Sequence, residues 1–535
     1  QTQGKTWCRP LLWRLWRIKQ PLPQDRGQCV RSWFSAFCNI PVMEIGPAQR
    51  AGNAESEARE FARTFAVKTI PMNPKIIEQL QCIVGENRVK TDADSLRVWG
   101  CDWTKHYTPC ASAIVFPVST EEVQAIVHLA NLEKFHLVPS GGRTGLSAGA
   151  VAAHGEVVIS FDRMNQVLGF FPADRMVHIQ AGMVTGQLQQ YADERGLYYP
   201  VDFASAGSSQ LGGNIGTNAG GIKVIRYGMT RAWVLGLTVV TGKGDILRLN
   251  KGMAKNATGY DLRHLMIGAE GTLGLVTEAQ IKLERKPREL RVLVLGTPNF
   301  DTIMQVLAAF QATLDLTAFE FFSELAVQKV IASGDVARPF EEATPFYALL
   351  EFEALSSAIE EQAMQVFETC MEAGWVLNGV MSQSETQARS LWRLREDISE
   401  TITKFTPYKN DISVLISHIP AFIADIDAIV QTHYPDFEIV WFGHIGDGNL
   451  HLNILKPEHV SKEAFFAKCQ AVNQAVFETV QKYDGSISAE HGVGMTKKPY
   501  LGYTRAPEEI AYMQAIKRVF DPNNILNPGK IFDLD

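Results

Sequence analysis

From Ala113 onward, short β-rich runs alternate with stretches in which apolar residues recur every three or four positions. Such switching of period marks strands alternating with amphipathic helices. The run 113–117 (AIVFP) predicts a strand. Ser119, followed three residues later by Glu122, forms a capping box for a helix reaching Lys134. Residues 136–145 (HLVPSGGRTG) read as a strand entering a glycine loop, and 157–161, 177–182 and 274–283 as further strands. Between them the pattern predicts a helix near 184–195, a long loop from Tyr199 to Lys223, and a hairpin over 233–249 turning at Lys243–Gly244.

Beyond Lys286-Pro287 glycine becomes sparse and a strand–helix rhythm takes over. A strand at 291–297 precedes a helix to Leu314, and one at 346–353 precedes a helix to Glu372. A helix through 392–397 leads to a strand at 411–417, then another helix, a hairpin at 438–455 and a long helix to Lys482. The layout predicts an α+β fold whose second part is built on an antiparallel sheet.

At 535 residues the chain exceeds what one core supports. Its 46% hydrophobic and 20% charged residues are those of an ordinary globular protein, and a net charge of -7 offers no basic footprint for nucleic acid. No apolar run reaches the ~18 residues of a membrane span. Eight cysteines without a C-x-x-C pair point to a reducing compartment rather than to a disulfide framework or zinc ribbon. Charge is uneven: residues 1–42 carry +6, which leaves -13 for the rest. Residues 1–71, rich in Arg and Trp, are read as an extension ahead of a natural start at Met43 or Met72, which goes with a bacterial cytoplasmic location. The alternative is an organelle-targeting segment, which would place the protein in the mitochondrial matrix.

Glycine clusters three times where regular structure would not favour it: Ser140–Gly145, Gly207–Gly221 and Gly268–Gly274. Glycines let backbone N–H groups close around a diphosphate, and Asn214, Thr217 and Asn218 add neutral donors suited to a flavin edge. Neither G-x-G-x-x-G nor a P-loop is present. The segments PSGGRTG (139–145), LGGNIGTNAGG (211–221), RYG (226–228), NATGYDLRHLMIGAEGTLG (256–274) and FDPNNILNPGKIF (520–532) resemble the FAD-linked oxidases of the vanillyl-alcohol oxidase fold, with an FAD-binding PCMH-type domain. The resemblance covers 85–535 in order. It implies a split FAD-binding domain (72–286), a cap domain carrying the substrate (287–488) and a C-terminal segment returning to the flavin (489–535). The implied cofactor residues are Pro139, Ser140, Gly141, Gly142, Arg143, Thr144, Gly145, Gly207, Ser208, Gly212, Gly213, Asn214, Thr217, Asn218, Glu270, Gly271, Gly274 and Asn527. Some members tether FAD through a histidine in the first loop. Arg143 stands in that loop here and no histidine does, so the flavin is expected to be non-covalent.

Residues 439–454 (IVWFGHIGDGNLHLNI) carry the densest chemistry. A two-residue turn at Asp447-Gly448 makes His444 and His451 direct cross-strand partners, with Cβ atoms ~5 Å apart and able to share a divalent metal. Asn453 faces the same side, and Glu490 and His491 of SAEHGVG offer a third ligand. The D-2-hydroxyglutarate and D-lactate dehydrogenase branch has G-H-x-G-D-G-N-x-H together with E-H-G. It implies His444, His451 and Glu490 as metal ligands and His491 as the catalytic base. Two imidazoles and a carboxylate suit Zn²⁺, Mn²⁺ or Fe²⁺, and zinc is placed first. The same branch has R-E-x-[IV]-[ST] and K-x-D-[LIV]-S facing the substrate, which correspond to Arg395, Ser399 and Lys409, with Asn453 beside them. It often has Pro two residues after the last Ser, where this chain has Leu415.

The expected activity is therefore oxidation of a D-2-hydroxy acid, foremost D-2-hydroxyglutarate, by hydride transfer to flavin N5. D-lactate or glycolate is the alternative substrate, and a non-redox alkyl-transferring synthase the rival from another class. An electron-transfer flavoprotein or a quinone is the expected acceptor, and a homodimer the expected assembly.

Overall fold

The computed structural model describes residues 71–534 apart from 105–106 and 335. The extension expected at 1–71 lies, but for its last residue, outside the described residues. A four-stranded sheet in the order β1-β2-β4-β3 comes first, from Val89–Lys90 (β1), Ala113–Val115 (β2), Leu137–Ser140 (β3) and Val157–Ser160 (β4). The β2–β4 and β3–β4 pairs are parallel, and β2 and β4 are buried at every residue, as their unbroken apolar runs require. A five-stranded antiparallel sheet follows, in the order β5-β6-β10-β8-β9: Val167–Phe171 (β5), Met176–Gln180 (β6), Val234–Thr241 (β8), Ile246–Leu249 (β9) and Gly274–Lys282 (β10). Leu197–Tyr198 (β7) pairs with Glu284–Arg285 (β11).

Two local features differ from expectation. Ser119 does cap the helix Thr120–Glu133 by accepting from the Glu122 amide at 3.2 Å. The reciprocal half of the box is missing, because the Glu122 carboxylate accepts from the Val118 amide and from the Arg88 guanidinium. The stretch 199–223 is not all loop. Leu211–Thr217 is helical despite three glycines, each of which disfavours a helix by about 1 kcal/mol. Burial of Leu211 and Ile215, four residues apart, holds it in place, and Gly212 lies so close to Ala181 that an added Cβ would sit 2.9 Å from that methyl.

The second half folds around a seven-stranded sheet in which every neighbouring pair is antiparallel. Its strands are Leu290–Thr297 (β12), Leu316–Ser323 (β13), Phe346–Glu353 (β14), Asn378–Met381 (β15), Tyr408–Ser413 (β16), Ile439–Gly443 (β17) and Asn449–Ile454 (β18), in the order β15-β12-β14-β13-β17-β18-β16. The strand expected at 411–417 instead spans 408–413. Its partner β18 begins at Asn449, opposite Ser413, so the ladder ends there; Val414 N makes one last bond to Gly448 O in the loop before β18, and Leu415 is exposed.

One sheet face, with Phe319, Phe321, Leu350, Ile412 and Leu452, packs under the helices Phe300–Gln311, Ser357–Glu372, Ile419–His433 and Lys462–Lys482. The opposite face is apolar at β12–β14, where Val294, Phe322 and Leu349 meet the helices Glu324–Ile331, Glu385–Glu396 and Ile398–Thr403. Toward β16–β18 that face turns polar, and the site lies there. Residues 525–527 return to the first sheet: Leu137 N donates to Ile525 O, and Asn527 N donates to Leu137 O. Among the described residues no helix is long and apolar enough to cross a membrane.

Candidate active site

The three glycine loops meet beside the end of β3. A Cβ at Gly142 would lie 2.1 Å from the Ser208 carbonyl oxygen, so only glycine lets the first loop touch the second. Gly268 N donates to Ile215 O and Glu270 N to Gly216 O, which joins the third loop to the second. The Asn527 side-chain amide donates to the carbonyls of Gly149 and Glu270. Around this junction Ser140 Oγ, Gln210 Oε1 and Asn527 Oδ1 are buried without a protein partner, while a Cβ at Gly207 or Gly213 would meet nothing within 4 Å. Buried polar atoms left unpaired cost about 1–3 kcal/mol each. Their convergence with amide-rich loops fits a polar cofactor such as FAD.

The other residues expected at the flavin divide into two groups. Arg143, at φ 60°, donates to Gly141 O at 2.8 Å and pairs with Asp162 at 3.2 Å, which fixes the first loop, Pro139–Gly145. Asn214 donates to Thr185 Oγ1, Thr217 to Gly213 O, and Asn218 accepts from the Arg231 amide, so these side chains brace the second loop. Glu270 serves as a tie. Its carboxylate accepts from the amides of Val493 and Gly494, its N–H and C=O are both taken by protein, and burial raises its pKa. Gly271 packs against the Pro139 ring, whereas Gly274 lies within β10 opposite Thr241, away from the loop junction.

The histidine hairpin differs from the expected geometry. The last rung pairs His451 with Phe442, not with His444. Residues 444–448 form a wider loop around a 3₁₀ turn at Ile445–Asp447, with Gly448 at φ 90°. The Asp447 carboxylate accepts from the Asn449 amide, and Asp447-Gly448 is not the two-residue turn expected. The loop folds back, and the rings of His444 and His451 still come to 5.4 Å, at 82° to each other.

Glu490 completes the group, with Oε1 3.6 Å from His444 Nε2 and 3.9 Å from His451 Nε2. Its other oxygen accepts from Gly221 N at 3.0 Å. Gly220 and Gly221 make that approach possible, because a Cβ at Gly220 would lie 2.9 Å from this oxygen and Gly221 sits at φ 111°. The three ligand atoms lie within 4.8 Å of one another. Both Nδ1 atoms face carboxylates: His444 meets Glu320 Oε1 at 2.8 Å and His451 meets Asp411 Oδ1 at 3.7 Å. Two imidazoles turned outward by carboxylates toward a third carboxylate form the donor set of a divalent metal, and they fit one.

Burial works against charge on both histidines. Glu320 and Glu490 overcome it at His444 and raise its pKa to about 10, whereas His451 stays well below the ordinary value. Glu490 is penalised by burial but drawn below the usual carboxylate range by its bond to His444. Asp411, Glu490 and His491 also lie close enough to share an ion. Asp411, however, is already spent as an acceptor. It takes the amides of Glu490 and His491 and the Asn449 side chain, and it faces His491 Nδ1 at 3.2 Å and Lys497 Nζ at 3.4 Å. These neighbours overcome its burial and hold its pKa far below the usual range.

Lys409 lies two residues before Asp411 on β16 and opposite Asn453 of β18. It donates to Ser399 Oγ at 3.0 Å, and burial lowers its pKa to about 8. Asn453 is 1% exposed, its amide donating to the carbonyls of Val440 and His451. Arg395 arrives from the helix Glu385–Glu396, buried 4.7 Å over the Phe442 ring, with Nη2 unpartnered. A cleft of about 380 Å³, lined by Lys409, Asp411, His491, Thr496 and Lys497, opens on this cluster. The polar face thus gathers His444, His451, Glu490, His491, Arg395, Ser399, Lys409 and Asn453. Sequence reasoning assigned no role to Glu320, Gly221, Gln210 or Asp411.

The chain matches the family described as FAD binding domain over residues 111–250 and that described as FAD linked oxidases, C-terminal domain, over 286–531. It is 68% identical over 460 residues to a D-2-hydroxyglutarate dehydrogenase of Stutzerimonas stutzeri, covering 86% of this chain and 99% of that protein. To the enzyme of the same name from Xanthomonas citri it is 54% identical, covering 86% and 97%. To the mitochondrial one of Rattus norvegicus it is 35% identical, covering 87% of each chain. Among solved structures, a 4-ethylphenol oxidase from Gulosibacter chungangensis superposes with TM-score 0.69 at 16% identity, covering 86% of this chain and 97% of that one. An alkyldihydroxyacetonephosphate synthase superposes with TM-score 0.67 at 18% identity, covering 87% and 86%. At such identities these two show the fold alone, that of the vanillyl-alcohol oxidase type. The chain belongs to the FAD-linked oxidase family, in its D-2-hydroxyglutarate dehydrogenase branch, and is an FAD-dependent oxidoreductase acting on a CH–OH group.

Proposed function

We propose that the chain oxidises D-2-hydroxyglutarate to 2-oxoglutarate, with His444, His451 and Glu490 holding a divalent metal, zinc foremost. The observation that carries this reading is the meeting of those three ligands with the Asp411–His491 pair on one sheet face, opening on a cleft that also holds Lys409. When bound, FAD would accept the C2 hydride at N5 and the metal would act as a Lewis acid on the 2-hydroxyl and C1 carboxylate.

The chain's own residues supply the rest. Asp411 receives the Nδ1 side of His491 at 3.2 Å and so leaves Nε2, which lies 3.8 Å from Glu490 Oε1, to take the hydroxyl proton. Burial keeps His491 below the ordinary histidine pKa, so it is neutral and able to accept a proton near pH 7. Arg395 offers its unpartnered Nη2 to a carboxylate, and Lys409, steadied by Ser399, offers a cation to the second carboxylate of a five-carbon diacid. The reaction leaves reduced flavin, which an electron-transfer flavoprotein or quinone would reoxidise.

The test is a panel of D- and L-2-hydroxy acids with an artificial dye as acceptor, paired with anaerobic flavin bleaching. D-2-hydroxyglutarate should bleach the flavin fastest. Bleaching by the L-isomer instead, or by no hydroxy acid at all, would overturn the proposal.

A further inference from the structure

Glu320 divides its carboxylate between two groups that serve different ends of the reaction. Oε1 lies 2.8 Å from His444 Nδ1, and Oε2 lies 2.8 Å from Arg395 Nε. The residue is 1% exposed on β13. The β13–β17 register pairs Phe321 with Gly443, and one further step puts Glu320 opposite His444. Arg395 reaches the same carboxylate from the helix on that face.

We infer that Glu320 is a positioning residue that fixes the metal-facing tautomer of His444 and the direction of Arg395 with one side chain, tying metal affinity to substrate affinity. The inference rests on reading His444 as a metal ligand and Arg395 as a substrate contact. An ionised carboxylate only accepts hydrogen bonds, so Nδ1 of His444 must keep its proton, and the proton that leaves when a metal binds is the one on Nε2, on the Glu490 side. The same carboxylate neutralises a guanidinium that would otherwise be buried and uncompensated. Neither partner can lose Glu320 without the other being affected.

Glutamine in its place cannot satisfy both. Its amide oxygen stays with the charged guanidinium, which turns the amide NH₂ toward His444 and favours the Nε2–H tautomer, a form unable to ligate. Glu320→Gln, purified with full flavin content, should therefore bind zinc roughly 10–100-fold more weakly than wild type in competition with a chromogenic chelator. With saturating zinc it should regain binding of 2-oxoglutarate, read from the flavin absorbance. Should Glu320→Gln lose its flavin, Glu320→Asp takes its place. Aspartate keeps the charge on an arm too short to span both groups, and it should weaken zinc binding in the same direction.

Zinc affinity within about twofold of wild type in a flavin-bound variant would overturn the inference. So would a lowered melting temperature with zinc affinity unchanged, which is what a merely structural residue would give. A wild-type protein that binds no zinc would instead defeat the functional proposal above.

Discussion

Replacing Lys409 should separate the two acids that a site of this kind could oxidise. D-2-Hydroxyglutarate carries a second carboxylate where D-lactate carries only a methyl group. Lys409 is half-buried, donates to Ser399 Oγ at 3.0 Å and lines the cleft beside His491. A charge-assisted hydrogen bond in such surroundings contributes about 1.5–3 kcal/mol. Lys409→Met, which keeps the bulk of the stem, should therefore lower kcat/KM for the diacid roughly ten- to a hundredfold while D-lactate, however slow, barely changes. Burial lowers the lysine pKa to about 8, so the free enzyme loses the cation as pH rises. Between pH 7 and 9 the charged fraction falls from about nine-tenths to about one-tenth. Wild-type kcat/KM for the diacid should fall over that window more steeply than for D-lactate, and the variant should lose the difference. Dye-linked steady-state kinetics across pH would measure both effects. Equal losses on both acids would move Lys409 to the shared C1 carboxylate, and a wild type preferring D-lactate would refute the diacid assignment itself.

His444→Ala, His451→Ala and Glu490→Ala should each lose bound metal and activity, and chelation should abolish turnover that added divalent metal restores. His491→Ala should keep its metal by elemental analysis and lose activity; turnover by verifiably metal-free enzyme would defeat the ligand assignment. Acid precipitation should release FAD into the supernatant, since Arg143 is tied to Gly141 and Asp162 and no histidine lies in the first loop; colour staying in the pellet would contradict non-covalent binding. Asp411→Asn should destabilise by about 3–5 kcal/mol in urea melts at pH 7, because Lys497 loses its buried counter-charge and the amides of Glu490 and His491 lose a charged acceptor. The folded Asp411 pKa lies below its unfolded value, so that loss should shrink as pH falls through the ordinary aspartate range and should not depend on alkaline pH.

The sequence made legible what repeats along one element, and much less of what meets across elements. Parallel strands announced themselves as apolar runs, and the antiparallel second half by its strand–helix rhythm. The strand β13 did not, because all eight of its residues are buried and its burial has no period. The helix Leu211–Thr217 was hidden by its glycines, since tertiary burial of two residues outweighs propensity there. In the site, His444, His451, Glu490 and His491 stand in dense local motifs, and their grouping was readable even though the hairpin register was not. Glu320 sits 124 residues before the histidine it faces, and Gly221 sits 269 before Glu490. A lone acid in an apolar strand is the only trace the first leaves, and the second is one glycine among many. Such partners are fixed by sheet register and loop packing, which spacing along the chain does not encode.

Charge balance explains why those long-range partners are acidic and basic in these proportions. Three carboxylates, Glu320, Asp411 and Glu490, face three cations, Arg395, Lys409 and Lys497, within one largely buried cluster. With the histidines neutral and Asp447, whose pKa burial raises to about 7, in its protonated form, the cluster sums to zero. His444 departs from neutrality while Glu320 and Glu490 favour its imidazolium, and a metal ligated at Nε2 requires that proton to leave. A dication entering alone would leave uncompensated charge in a site where burial makes such charge expensive. A doubly anionic diacid entering with it restores neutrality, whereas a singly charged D-lactate leaves one positive charge over. The same count makes Lys409 the group with most to gain from the second carboxylate, because burial has already weakened its hold on its proton. Substrate preference in this site would thus follow from the balance of the whole cluster as much as from any single contact.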